Sequence, residues 1–181
     1  MNRRRQFDIS YMKMALAFAE LSRARRNKVG AIIVNEDDQV IAQGFNGTPS
    51  GFDNNCEDDW CDAYNKLADP INCNYNKAKR TDSGWYACKG CEFNRLKTKK
   101  EVLHAESNAI MKCARNGHST KGATIYVTLS PCIDCAKLIV QADIKRVVYL
   151  EKYDKNEGLD LLEKANIIVE QIQVDNQPPT N

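Results

Sequence analysis

Apolar residues recur along this chain in two rhythms, and the order in which the rhythms alternate predicts the architecture. Ile9, Met12, Leu16 and Ala19 follow helical spacing, which predicts an amphipathic helix over residues 8–24. Two short β-branched runs come next, Val29 to Val34 (VGAIIV) and Val40 to Phe45, separated by the turn cluster Asn35-Glu36-Asp37-Asp38. That pattern predicts an antiparallel hairpin. Gly44 to Gly51 (GFNGTPSG) is a loop rich in turn formers. From Phe52 to about Lys100 the periodicity fades into polar residues and cysteines.

Regular patterning then resumes. Residues 104–116 predict a helix closed by Asn116-Gly117, residues 123–129 (ATIYVTL) a strand, and residues 132–142 a helix begun by Ser130-Pro131. A strand over 146–150, a helix over 158–165 and a strand over 167–174 complete the series. A hairpin followed by alternating helices and strands implies a three-layer α/β/α sandwich around a mixed five-stranded sheet. The later strands should be parallel, because each connection between them carries a helix. The expected organisation is one domain over residues 1–175, interrupted by an insertion at about 53–100, with a loose tail over 176–181.

Composition narrows the class. A chain of 181 residues with 43% hydrophobic and 28% charged positions is ordinary for a soluble globular domain. The formal net charge of +2 and the lack of a basic, aromatic stripe argue against a nucleic acid partner. Arg3, Arg4 and Arg5 read as a solvated tail. No stretch is apolar enough for a membrane span, and Lys13 and Glu20 break the only signal-like start, so the expected location is the cytoplasm. In that reducing compartment the eight cysteines are metal ligands or buried thiols rather than disulfides. Cys113, inside a helical pattern, reads as core, and His118, after a helix stop, as a surface residue.

Two short motifs carry chemistry. One is His104-Ala105-Glu106, the other Pro131-Cys132-Ile133-Asp134-Cys135. Cys132 and Cys135 stand three apart at the start of a predicted helix, so their sulfurs project from one face. The positive end of the helix dipole there favours the thiolates that zinc needs. With His104 they make three protein ligands and leave a fourth position open, the arrangement of catalytic rather than structural zinc. Glu106 is too close to His104 to share the metal comfortably and is better placed to carry a proton. A histidine-x-glutamate motif paired with proline-cysteine-x-x-cysteine is the pattern of zinc-dependent deaminases.

Beyond that pattern, the chain resembles the deoxycytidylate (dCMP) deaminases, especially those of phages. The likeness covers residues 8–52 and 101–171. It rests on Lys28-Val29-Gly30-Ala31, the GFNGTPSG loop, His104 to Ile110 (HAESNAI) and Tyr126 to Lys137 (YVTLSPCIDCAK). The resemblance implies a cytidine deaminase-like fold and hydrolysis of dCMP to dUMP and ammonia, supplying the precursor of thymidylate. It also implies a homohexamer activated by dCTP with Mg2+ and inhibited by dTTP, in the host cytoplasm if the chain is phage-encoded. Asn46 would bind the substrate or effector sugar, the backbone around Ala105, Thr128 and Ser130 would read the base, Tyr153 would contact substrate, and Arg115 would take part in the effector response. Some phage relatives hold a second, structural zinc, partly through a cysteine that Cys56 resembles. Here Cys56 with Cys88, Cys91 and either Cys61 or Cys73 would close such a site, or these are free thiols.

Other functions remain open on sequence alone. Within enzymes, the alternatives are deamination of free cytidine or deoxycytidine, of dCTP, or of a base in nucleic acid. A monophosphate substrate needs cationic partners, for which Arg25, Arg26, Lys28 and Lys152 are candidates. From another class, the chain would be a non-catalytic zinc-binding module, a reading that leaves Glu106 without a purpose.

Overall fold

The computed structural model describes residues 3–61 and 94–174. Strands β1 (Gly30–Val34) and β2 (Val40–Phe45) form the antiparallel hairpin that their β-branched runs predict. Asn35 builds the turn: its side-chain oxygen accepts the N–H groups of Asp37 and Gln39, and Asp38 takes up a left-handed conformation. A separate two-stranded sheet pairs β3 (Glu57–Cys61) antiparallel with β4 (Asn94–Thr98). Both strands fall within the span read as an insertion. Helix α2 (Ala105–Asn116), β5 (Thr124–Leu129), α3 (Ile133–Gln141), β6 (Arg146–Glu151), α4 (Glu157–Lys164) and β7 (Ile168–Gln171) follow, each close to its predicted span.

The main sheet runs β2-β1-β5-β6-β7. Strand β1 is antiparallel to both neighbours, whereas β5, β6 and β7 are mutually parallel, so the sheet is mixed as expected. Period-two alternation divides its residues between two cores. Ile33, Ile125, Val127 and Val147 pack with Ala105, Ala109, Ile139 and Leu162 from α2, α3 and α4. Ile32, Val34, Tyr126 and Val148 pack on the other side with Tyr11, Met12 and Ala15. The result is three layers, α/β/α. Every residue of β1 is buried, as both faces of a covered strand must be.

Helix α1 corrects the predicted bounds. It spans Arg3–Ala19, starting before residue 8 and stopping before residue 24. Its buried face carries Asp8, Tyr11, Met12, Ala15 and Ala19, while Ile9 and Leu16 are only partly buried. Asp8 can face the core because Arg146 donates to both of its oxygens at 2.8 and 2.9 Å and the Tyr126 hydroxyl donates at 2.6 Å. Arg3, Arg4 and Arg5 are exposed to solvent as expected, but they form the first turn of a helix rather than a tail. Arg4 reaches Asp38 at 2.9 Å and the Tyr126 hydroxyl at 3.3 Å. A count of apolar positions misses such a face, because a buried carboxylate with paired donors behaves as core.

Candidate active site

Two helix N-termini converge on one spot. His104 is the N-cap of α2 and Cys132 the N-cap of α3, both in extended backbone conformation, and Cys135 lies in the first turn of α3. The loop before α2 is held by an isolated bridge between Gly47 and Leu103. Strand β2 comes close enough to α2 that a Cβ on Gly44 would lie 2.1 Å from the Ala105 carbonyl oxygen, a contact only glycine allows. The bridge and the close packing of β2 on α2 thus help bring together residues from two distant motifs.

The donor atoms of His104, Cys132 and Cys135 all lie within 4.8 Å of one another. Nδ1 of His104 faces both sulfurs, at 3.5 Å from Cys132 and 3.3 Å from Cys135. Zinc bonds of about 2.0 Å to nitrogen and 2.3 Å to sulfur, opened at a tetrahedral angle, separate those atoms by about 3.5 Å. The donor set and its spacing fit that ion. A hydrogen bond from Cys135 pushes the Cys132 thiol down to about 4 against the opposing effect of burial, and the imidazole adds to the same direction. Cys135, the donor in that bond, is pushed up, by its partner first and by burial second. His104 is raised by its hydrogen bond with Cys132, which outweighs burial.

Glu106, in the first turn of α2, is 4% exposed. Burial pushes its carboxyl above the usual carboxylate range, while the charge of His104 acts in the opposite sense. His104, Glu106 and Cys132 line a single cleft. Its lining therefore combines two of the three metal donors with a buried carboxyl whose pKa is raised, a group suited to moving a proton.

Asn46, Ala105, Ser130 and Tyr153 line the same cleft. The Asn46 amide is already engaged, accepting the Val29 N–H and donating to the Asn27 carbonyl, each at 2.8 Å. The Ser130 hydroxyl accepts the Tyr153 N–H at 2.8 Å and ties that residue to the end of β5. Thr128 is buried, its hydroxyl accepting the Gly30 N–H at 3.1 Å. Arg115 sits exposed in the last turn of α2, at the end opposite His104. Of the four basic candidates for a phosphate, Arg26 lines the cleft, Arg25 turns to Glu57, and Lys28 and Lys152 are exposed.

The cleft also contains residues that the sequence did not reveal. Glu57 of β3 and Thr98 of β4, register partners across the small sheet, form part of its wall with Val102. Nothing in their spacing marks them. Cys56, next to Glu57, is buried against Ala24 and Val102, and burial pushes its thiol up. Cys73, Cys88 and Cys91 lie outside the described residues, and Cys61 is described only as the end of β3. Cys113 is buried and His118 exposed.

Comparison with known proteins agrees with this geometry. Residues 5–151 match the model of the cytidine and deoxycytidylate deaminase zinc-binding region. The deoxycytidylate deaminase of Enterobacteria phage T4 is 39% identical over 168 residues, covering 87% of this chain and 86% of the relative. That of Enterobacteria phage T2 is 37% identical over 175 residues, covering 87% and 88%. The crystal structure of a cyanophage S-TIM5 dCMP deaminase in complex with dCMP and dUMP superposes with a TM-score of 0.69 at 34% identity, over 95% of this chain and 99% of that one.

Proposed function

This chain belongs to the family of cytidine and deoxycytidylate deaminases, and from that premise we propose that it hydrolyses dCMP to dUMP and ammonia. The observation that carries the reading is the buried Glu106 carboxyl in one cleft with His104 and Cys132, whose donor atoms cluster with that of Cys135. A structural zinc site has no use for such a neighbour. The phage relatives bear the name deoxycytidylate deaminase, and the cyanophage enzyme was solved with dCMP and dUMP, which supports the nucleotide as substrate.

His104 Nδ1 and the two thiolates would hold zinc, which would supply Lewis acidity to make a nearby water more acidic. Glu106 takes a proton from the attacking water and delivers it to ring nitrogen 3 of the cytosine. It then carries the second proton to the departing amine, so one carboxylate acts as base and then as acid. Its burial suits the first role, since a carboxylate with a raised pKa is the stronger base, and it keeps the proton in the cleft for delivery to the substrate. The backbone around Ala105, Thr128 and Ser130 reads the base, Asn46 binds the substrate or effector sugar, and Tyr153 contacts the substrate. Arg26 faces the phosphate.

Regulation follows the resemblance: activation by dCTP with Mg2+, inhibition by dTTP, a homohexamer, and Arg115 in the effector response. Cys56, with Cys88, Cys91 and Cys61 or Cys73, would supply a second zinc, or these are free thiols. Rates against dCMP concentration should be sigmoidal and shift in opposite directions with the two effectors. The substrate is tested by comparing turnover of dCMP, deoxycytidine and a cytosine-containing oligonucleotide by the zinc-loaded protein. Preference for dCMP is the expected result, and reaction of the oligonucleotide alone overturns the reading.

A further inference from the structure

We propose that Glu57 is a positioning residue for the phosphate end of the cleft, holding the bend at Arg25 and Arg26 so that Arg26 faces the substrate phosphate. The inference rests on the dCMP reading above and assigns a task to the wall that the small sheet contributes.

The segment between α1 and β1 has no regular structure around the bend at residues 25 and 26, so its N–H groups lack helix or sheet partners. Glu57, 1% exposed, supplies the acceptor. Both of its carboxylate oxygens lie 3.1 Å from the Arg25 nitrogen, and Oε1 accepts the Arg26 N–H at 3.4 Å. The Arg25 guanidinium folds over the same residue, donating to the Glu57 carbonyl at 3.1 Å, with Nε 3.7 Å from Oε2. A buried carboxylate survives only with such donors, so the contact fixes the bend as firmly as it satisfies the charge.

Charge is thereby divided between neighbours. Arg25 is committed to Glu57, while Arg26 lines the cleft that holds His104 and Glu106. Elsewhere the segment is anchored independently. Asn46 holds Asn27 and Val29, and the Ser22 hydroxyl donates to the Asn46 carbonyl at 2.8 Å. Loss of Glu57 therefore frees the bend without releasing the residues on either side of it. The phosphate end should suffer and the base end should not.

Product inhibition separates the two ends. In Glu57→Gln, which keeps the side-chain volume but loses the charge and one acceptor, the inhibition constant for dUMP should rise about tenfold, the worth of one charge-assisted hydrogen bond. That for deoxyuridine should stay within about twofold, and KM for dCMP should rise far more than kcat falls. A parallel rise for both inhibitors would mean a merely structural role and would overturn the proposal, as would an unchanged ratio. Glu57→Asp, read by the same ratio, serves if the glutamine variant does not fold. Arg26→Gln tests the premise. If it leaves the ratio unchanged, the phosphate reading fails; if it collapses the ratio while Glu57→Gln does not, only the positioning role fails.

Discussion

Gly158 rests directly on the backbone of Pro131: a Cβ there would lie 2.0 Å from the Pro131 carbonyl oxygen and 2.8 Å from the carbonyl carbon of Cys132. The first turn of α4 thus sits against the peptide that carries one of the three metal donors. Because the obstruction is backbone, it cannot rotate away. Gly158→Ala should cost about 1–3 kcal/mol of stability by overpacking and displace Cys132. Thermal melting with zinc analysis checks this; an unchanged melting temperature with full zinc would refute it.

Glu106→Gln keeps the shape of the side chain and removes its proton chemistry. We expect kcat to fall by at least about a hundredfold, the usual worth of a positioned acid or base, with zinc content unaltered. Turnover close to that of the parent enzyme would remove Glu106 from the proton path.

Cys135→Ser should release zinc to a chelator concentration that leaves the parent protein loaded, because a hydroxyl is a poor substitute for a thiolate ligand. Elemental analysis of the parent protein should find two zinc ions per chain if Cys56 and the other cysteines form a second site. One ion would end that idea.

Asp8 predicts an acid limit to stability. Burial pushes its carboxyl up, but hydrogen bonds from Arg146 and Tyr126 and the charges of Arg146 and Arg4 outweigh it, and the net pKa lies below the ordinary 3.8. A carboxyl depressed in the folded state stabilises the fold above its unfolded pKa and ceases to do so as pH falls through the folded value. Urea midpoints should therefore drop steeply below about pH 4. Asp8→Asn should be about 2 kcal/mol less stable at pH 7 and lose less on acidification. Parallel pH profiles for the two proteins would contradict the assignment.

Much of the site could be read directly from the chain. His104, Glu106, Cys132 and Cys135 stand in short motifs at helix starts, where the helix dipole favours their roles, so residue type and spacing suffice. The hairpin and the parallel strands followed from period-two runs and their connections. Helix α1 was misjudged because Asp8 lies on its buried face. Glu57 was invisible because it follows Cys56 in a polar stretch with no period.

What the linear order of residues determined, then, is the metal-donor set, its neighbouring carboxyl and the sequence of helices and strands, all features expressed within a few residues of one another. The three-dimensional fold alone decided which charges are paired. Asp8 meets Arg146 across 138 positions and Glu57 meets Arg25 across 32. Periodicity reports only which side of its own helix or strand a residue occupies, whereas the partner that makes a buried charge tolerable is chosen by packing.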